Sequence, residues 1–180
     1  IVASFDLIIL GGGPAGYVCA IRAAQLGLST AVVEKDKLGG VCVNIGCIPT
    51  KALLHSASSI NLIAHQAKEL GIEVGTVKTD YGVAMKRSRK VAEQNSKGVE
   101  FLMKKNKVTV IKGTGTLLPG KKVKVGADVH EAKKAVVIAT GSRPGVPRIP
   151  GLDATPYLTN ETVFDLREPV PSLIVVGAGP

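Results

Sequence analysis

The stretch FDLIILGGGPAG, Phe5 to Gly16, decides the fold that this sequence predicts. Its apolar run ends at Gly11, and Gly11, Gly13 and Gly16 follow the spacing G-x-G-x-x-G. The run is typical of a buried parallel strand. Pro14 suits the first turn of a helix, because its missing N–H would have no partner there. We therefore predict a strand, a glycine loop and a helix in succession.

A second strand, STAVVE, is predicted at residues 29–34 and ends on Glu34. This acidic residue lies 23 positions after Gly11, an arrangement that a dinucleotide site requires. In such a site the glycines let the backbone approach the pyrophosphate, the helix start offers N–H groups, and the carboxylate accepts from ribose hydroxyls. The alternative is that the glycines serve only the packing of helix on strand.

The same motif returns at the other end of the chain. LIILGGGP, residues 7–14, is echoed by LIVVGAGP, residues 173–180. The sequence therefore predicts an α/β protein in which a second strand and glycine loop begin, and two such folds suggest two nucleotide cofactors. We place a Rossmann-like domain, a parallel sheet with a small antiparallel β insertion, at residues 1–143. A proline-rich linker follows at 144–171, and the first strand and glycine loop of a second Rossmann domain at 172–180.

The segment between the two motifs predicts two helices and three strands. One helix runs from Cys47 to about Leu70, and the other from near Asp80 to Asn106. KVTVIKGTGTLL and KKVKVG are predicted strands joined by a turn at Pro119 and Gly120, and AVVIATG, residues 135–141, is a further buried strand.

Composition and charge narrow the function classes. The chain has 180 residues, of which 45% are hydrophobic, so it can build a globular core. It lacks an apolar run of 18 residues and a leader pattern, so we expect no membrane insertion or export. The net charge of +9 is concentrated in residues 86–107, where we interpret it as a solvated helix face. Aromatic residues make up only 3%, which argues against a nucleic-acid groove.

The pair of cysteines in GGVCVNIGCIPTK, residues 39–51, could be a disulfide staple, a metal clip or a redox dithiol. Three cysteines are too few for a stapled secreted scaffold. Zinc would need four ligands, and neither Cys19 nor the three histidines fall at a useful spacing. Cys47 begins a predicted helix, where the helix dipole favours a thiolate, and Lys51 lies on the same helical face. These features favour the dithiol, whereas Cys19 is expected to be a small core residue.

The segment GGVCVNIGCIPTKALLH, residues 39–55, resembles the redox-active segment of the flavin disulfide reductases, most closely their dihydrolipoyl dehydrogenase branch. The similarity extends from LIILGGGPAGYVCAIRAAQLG through VVEKDKLGG to ATGSRP and the closing LIVVGAGP. IPTKALLH favours the lipoamide branch, although Thr50 stands where that branch most often has serine.

The resemblance implies a set of site residues. Cys42 would exchange with the lipoyl sulfur, Cys47 would be the thiolate in charge-transfer contact with the flavin, and Lys51 would lie near the flavin. Gly177 and Gly179 would begin the NAD pyrophosphate loop. FAD would be held by residues of the glycine loop and its neighbours: Gly11, Gly13, Pro14, Ala15, Gly16, Glu34, Lys35, Gly39, Gly40, Val41, Gly113, Ala139, Thr140 and Gly141.

The resemblance also implies an activity and partners. The reaction would be oxidation of protein-bound dihydrolipoamide with FAD as cofactor and NAD as acceptor, without a metal. The partner would be the lipoyl domain of an acyltransferase or of a glycine-cleavage carrier protein, and the whole enzyme a homodimer, in the bacterial cytoplasm or mitochondrial matrix. An acid-base histidine and glutamate of the family lie outside these residues, so the chain alone is expected to turn over little. A glutathione-type or mercuric-type reductase and a non-catalytic nucleotide-binding module remain alternatives, and NADP remains open.

Overall fold

The computed structural model describes residues 3–177 of the chain. Strands and helices alternate along residues 3–45, and three strands form a β meander at residues 115–138. In chain order they are β1 Ala3–Leu10, α1 Pro14–Gln25, β2 Thr30–Glu34, α2 Gly40–Ile45, α3 Cys47–His65, α4 Tyr81–Lys105, β3 Thr109–Lys112, β4 Gly115–Leu118, β5 Lys122–Val125 and β6 Asp128–Ile138.

The strands form one six-stranded sheet in the order β3-β2-β1-β6-β5-β4. β3, β2, β1 and β6 run parallel, and β6, β5 and β4 run antiparallel. This confirms the predicted parallel sheet with a small antiparallel part. The two outermost strands, β3 and β4, are joined by residues 113–114 alone, so the sheet must curl enough to bring the end of β3 close to the start of β4.

Two cores lie on the two faces of the parallel strands. Leu7, Ile9 and Val32 face the helices, where Ala20 of α1 and Met103 of α4 cover them. Alternate residues of the same strands face the meander in the second core, which contains Ile8, Leu10, Ala31, Val33, Val123, Val125 and Ala132. Strands buried on both faces explain why FDLIIL and STAVVE are almost continuously apolar or small.

The long helix α4 closes the layer of helices. Asp80 caps its start, because the Asp80 carboxylate accepts the N–H of Val83 at 2.9 Å. One stripe at helical spacing is buried: Met85, Ser88, Ala92, Ser96, Val99 and Met103. The remaining faces carry basic residues, so α4 contains both the buried stripe and most of the basic run at residues 86–107.

Two local predictions were wrong in detail, and two features were not predicted. The helix from Cys47 ends at His65 instead of Leu70, and turns lead to Gly71, which has a φ of +73°. KVTVIKGTGTLL is two strands, because pairing with β2 ends at Lys112 and β4, from Gly115, pairs with β5 at the opposite edge of the sheet. The short helix α2 was not predicted, nor was the first half of β6, which pairs with β5 before continuing beside β1.

The segment after β6 is mostly irregular, with 3-10 turns at Leu152–Ala154 and Val163–Asp165. Residues 172–177, predicted to start a second domain, do not form a strand, and Ile174 is 88% exposed. Gly179 lies outside the described residues. The division into domains therefore stays a prediction.

Candidate functional site

The glycine loop lies at the carboxyl end of β1, where α1 approaches the strand closely. A Cβ on Gly16 would collide with the carbonyl oxygen of Gly11, and Gly11 itself has a φ of +101°. Gly16 therefore permits the packing of α1, and Gly11 permits the turn. The loop is left free of side chains at Gly11 and Gly13, which both line the cleft described below.

A second glycine pair meets this loop. The N–H of Gly39 donates to the carbonyl of Gly12 at 2.8 Å, and a Cβ on Gly40 would lie 2.7 Å from the Cα of Gly13. Gly39 and Gly40 both have positive φ, +98° and +59°. The start of α2 is therefore held directly against the first glycine loop, backbone to backbone.

Glu34 ties the end of β2 to the glycine loop. One carboxylate oxygen accepts the N–H of Gly12 at 2.7 Å, and the other accepts the N–H of Asp36 at 2.7 Å. Each oxygen can accept more than one hydrogen bond, so Glu34 keeps capacity for a ligand hydroxyl. It lines the cleft beside Lys35.

Cys42 and Cys47 form a disulfide, and their Cα atoms lie 4.6 Å apart. Cys42 belongs to α2 and Cys47 begins α3, so the chain bends between them at Gly46. A Cβ on Gly46 would lie 3.0 Å from the carbonyl oxygen of Val41, so the bend leaves little room for a side chain there. The third cysteine, Cys19, is free and packs half-buried against the core on the α1 side.

The glycine loop and the disulfide open on one cleft of about 1350 Å³. This volume exceeds the 300–1,000 Å³ usual for drug-sized ligands, as an extended dinucleotide would require. The predicted residues that line it are Gly11, Gly13, Pro14, Ala15, Glu34, Lys35, Gly40, Val41, Cys42, Cys47, Ala139, Thr140 and Gly141.

The lining fits a flavin dinucleotide in its chemistry. Bare glycine backbone next to the start of α1 suits a pyrophosphate, and Lys35, Lys37, Arg89 and Arg143 add positive charge to the cleft lining. The Glu34 carboxylate suits ribose hydroxyls. A disulfide in the same wall suits electron transfer to a flavin ring.

Other predicted residues lie beside the cleft or away from it. Gly113 lines a smaller hollow of about 180 Å³ next to Glu34 and Thr140, and its N–H donates to the Glu34 carbonyl at 2.9 Å. Gly16 and Gly39 shape the loops without lining the cleft. Lys51 lies one turn after Cys47, exposed and outside the lining. His55 and His65 are exposed on α3.

Sequence reasoning missed several lining residues, among them Asn44, Arg89, Arg143, Asn160 and Glu161. Arg89 belongs to the basic run interpreted as a solvated face, yet its guanidinium donates to the Asn44 carbonyl at 2.8 Å. Arg87 likewise donates to the Ala52 carbonyl at 3.0 Å. The interpretation was therefore wrong for Arg89, which is half-buried and lines the cleft, whereas Arg87 is exposed. No periodic signal distinguished the two arginines.

Residues 3–177 contain neither a membrane-spanning helix nor a cluster of metal ligands. No helix there combines the length and the low polarity that crossing a bilayer demands. That same part of the chain contains no group of three or more His, Cys, Asp or Glu side chains placed to hold a metal ion.

Comparison with known proteins gives a consistent family. The model of the pyridine nucleotide-disulphide oxidoreductase family matches residues 5–180. The chain is 47% identical to a dihydrolipoyl dehydrogenase of Mycobacterium leprae, covering 97% of this chain and 38% of that protein. It is 46% identical to one from Chlorobaculum tepidum, covering 99% and 39%, and 43% identical to one from Bacillus subtilis, covering 97% and 39%.

A solved structure supports the fold. The HOCl-induced flavoprotein disulfide reductase RclA from Escherichia coli, solved as a Cu(II) complex, superposes with a TM-score of 0.74 at 27% identity. The match covers 92% of this chain and 35% of RclA. The chain thus spans well under half the length of the relatives it matches.

Proposed function

The chain belongs to the pyridine nucleotide-disulphide oxidoreductase family, and from that membership we propose that it is the FAD-binding and disulfide-bearing part of a dihydrolipoyl dehydrogenase. One observation carries the proposal: the Cys42–Cys47 disulfide lies in the wall of the cleft that also contains the Gly11 and Gly13 loop. A disulfide used only as a staple has no reason to share a nucleotide cleft. The similarity to three dihydrolipoyl dehydrogenases supports the lipoamide branch.

The chain's own residues divide into those that bind and those that react. Gly11, Gly13 and the first turn of α1 would hold the FAD pyrophosphate, and Glu34 the adenosine ribose. Gly113, in the hollow beyond Glu34, would contact the adenine end. The bound flavin would supply an acceptor for two electrons that can afterwards reduce a nicotinamide.

The reacting residues are the two cysteines. A thiolate of dihydrolipoamide would attack Cys42, breaking the Cys42–Cys47 bond and releasing Cys47 as a thiolate. The second lipoyl thiol, after losing its proton to a base, would attack the lipoyl sulfur bonded to Cys42. That step closes the lipoyl disulfide and releases Cys42. Lipoamide is then oxidised by two electrons, the cysteine pair is reduced by two, and two protons leave the lipoyl thiols.

The partners follow from this reaction. The substrate would arrive on the lipoyl domain of an acyltransferase or of a glycine-cleavage carrier protein, and NAD would be the final acceptor. The enzyme would act as a homodimer, in which the acid-base residues come from outside residues 1–180.

The test uses the full-length protein that carries this chain. With FAD and NAD present, the native protein should form NADH from dihydrolipoamide, and Cys42→Ser and Cys47→Ser should each reduce this at least 1,000-fold, on the order found when a nucleophile is removed. Cys19→Ser is the matched control, because Cys19 is free and lies in α1 outside the cleft lining. It should retain nearly full activity.

Two results would contradict the proposal. If both Cys42→Ser and Cys47→Ser kept their activity, the cysteines would not be the reacting residues. The nucleotide-binding cleft would then be the only part of the proposal left. Faster reduction of glutathione disulfide than oxidation of dihydrolipoamide by the native protein would transfer the chain to the glutathione-type branch.

A further inference from the structure

We propose that Arg89 of α4 is a positioning residue for the redox disulfide, because it fixes the carboxyl end of α2 and thereby holds Cys42 within bonding reach of Cys47. The inference rests on the proposed function only in taking this disulfide as redox-active. It assigns Arg89 a role in addition to the positive charge that this residue brings to the cleft lining.

The first observation concerns what α2 lacks. This helix has six residues, Gly40–Ile45, and neither its Gly39 cap nor its Gly46 cap provides a side-chain hydrogen bond. Carbonyls in the last turn of a helix have no intrahelical donor. Arg89 supplies one, because its guanidinium donates to the Asn44 carbonyl at 2.8 Å. A charged donor at the carboxyl end also complements the partial negative charge of that end.

The second observation concerns the other end of the same segment. The hydroxyl of Ser96, a buried residue, donates to the Leu38 carbonyl at 2.8 Å, just before α2 begins. Ser96 and Arg89 are seven residues apart in α4, so they lie on one face two turns apart. The α4 helix therefore donates hydrogen bonds to both ends of the segment that contains Cys42, residues 38–44.

The third observation is that the Asn44 side chain connects the two ends of this segment. The Asn44 side-chain amide donates to the carbonyls of Leu38 and Gly40, at 3.1 and 3.0 Å. Asn44 thus joins the two ends that α4 contacts, because its own backbone carbonyl accepts the hydrogen bond from Arg89. Beyond the disulfide, Arg87 donates to the Ala52 carbonyl in α3 at 3.0 Å. The α4 helix consequently contacts the backbone on both sides of the Cys42–Cys47 link.

The consequence is an effect on the equilibrium between disulfide and dithiol. Two thiols held in place have a high effective concentration toward each other, and this favours the disulfide. Removing the Arg89 side chain loosens α2 and should shift the equilibrium toward the dithiol. Removing its charge alone acts in the opposite sense, because a nearby cation stabilises thiolates. The direction of the shift therefore separates positioning from simple electrostatics.

The experiment is a redox titration of the full-length protein in thiol–disulfide buffers, with alkylation of Cys42 and Cys47 read by mass. In Arg89→Ala the equilibrium constant for forming the disulfide should fall about tenfold, equivalent to about 30 mV. Arg89→Lys, which keeps a donor, should recover most of it. Lys90→Ala removes an exposed charge from the adjacent position and should leave the constant unchanged.

Ser96→Ala is the second variant, because it releases the other end of the segment without changing charge. Circular dichroism identifies which variants are folded, and either folded variant suffices. An unchanged constant in the folded variants, a shift toward the disulfide in Arg89→Ala, or an equal shift in Lys90→Ala would overturn the inference. The titration reads the cysteine pair directly and needs neither dihydrolipoamide nor NAD, so failure of the proposed function would appear separately, in the NADH assay.

Discussion

The carboxylate of Glu34 accepts the N–H of Gly12 at 2.7 Å, joining the end of β2 to the glycine loop that follows β1. Glu34 is the last residue of β2, Gly12 follows the adjacent parallel strand β1, and the hydrogen bond helps to fix the loop. A residue proposed to hold a ribose therefore also shapes the site for the neighbouring pyrophosphate.

The first prediction is that Glu34→Ala weakens FAD binding and also destabilises the protein. The variant leaves the N–H groups of Gly12 and Asp36 without their acceptor, and hydrogen bonds to charged groups contribute about 1.5–3 kcal/mol each. We expect the dissociation constant for FAD, measured by quenching of flavin fluorescence, to be at least tenfold larger. We also expect a lower midpoint of thermal unfolding. Glu34→Gln, which keeps one acceptor oxygen, should lie between. Equal FAD affinity in Glu34→Ala and native protein would refute the role.

The second prediction contrasts two helical glycines. Gly16→Ala should prevent α1 from packing, because the new Cβ would collide with the Gly11 carbonyl oxygen, a backbone atom. We expect loss of the folded protein, seen as loss of a cooperative unfolding transition. Gly98→Ala in α4 is the control, since nothing lies within 4 Å of its Cβ position. It should raise the free energy of unfolding by about 1 kcal/mol.

The third prediction concerns the contact between the two glycine loops. Gly40 and Gly27 both have positive φ, but a Cβ on Gly40 would lie 2.7 Å from the Gly13 Cα, whereas nothing lies within 4 Å at Gly27. Gly27→Ala should cost only the left-handed conformation, about 1–2 kcal/mol of unfolding free energy. Gly40→Ala should cost more and also weaken FAD binding, because α2 must move away from the loop. Urea unfolding and FAD titration measure both quantities, and equal costs in the two variants would contradict the contact.

The parts of this site that sequence could predict are those in which one residue type has one physical use. Gly11 and Gly16 were identifiable because a turn and a close helix approach exclude larger residues. Glu34 followed from its place at the end of a strand. The redox role of the cysteine pair was predicted from the resemblance of residues 39–55 to the flavin disulfide reductases and from the position of Cys47 at a helix start.

The parts that sequence could not predict depend on contacts between distant segments. The six-residue α2 is too short to show helical periodicity. KVTVIKGTGTLL is apolar enough for a single strand, and only the curled sheet reveals that Gly113 separates two. Arg89 is one cation among several in its helix, and its role depends on a carbonyl 45 positions earlier in the chain.

The last prediction follows from Asp6 at the amino end of the sheet. Its carboxylate accepts the Ser29 N–H at 2.9 Å and the Ser29 hydroxyl at 2.8 Å, and these bonds hold the pKa of Asp6 below its ordinary value of 3.8. A carboxyl whose pKa is lower in the folded protein stabilises it above the unfolded pKa and loses that effect as pH falls. Asp6→Asn should therefore unfold at a lower temperature than the native protein at pH 7, with the difference shrinking below about pH 4. Glu93→Gln is the control, because the Glu93–Lys97 pair is exposed on α4 and contributes little. Calorimetric midpoints across pH decide the matter, and a difference that stayed constant with pH would show that Asp6 acts through its shape instead of its charge.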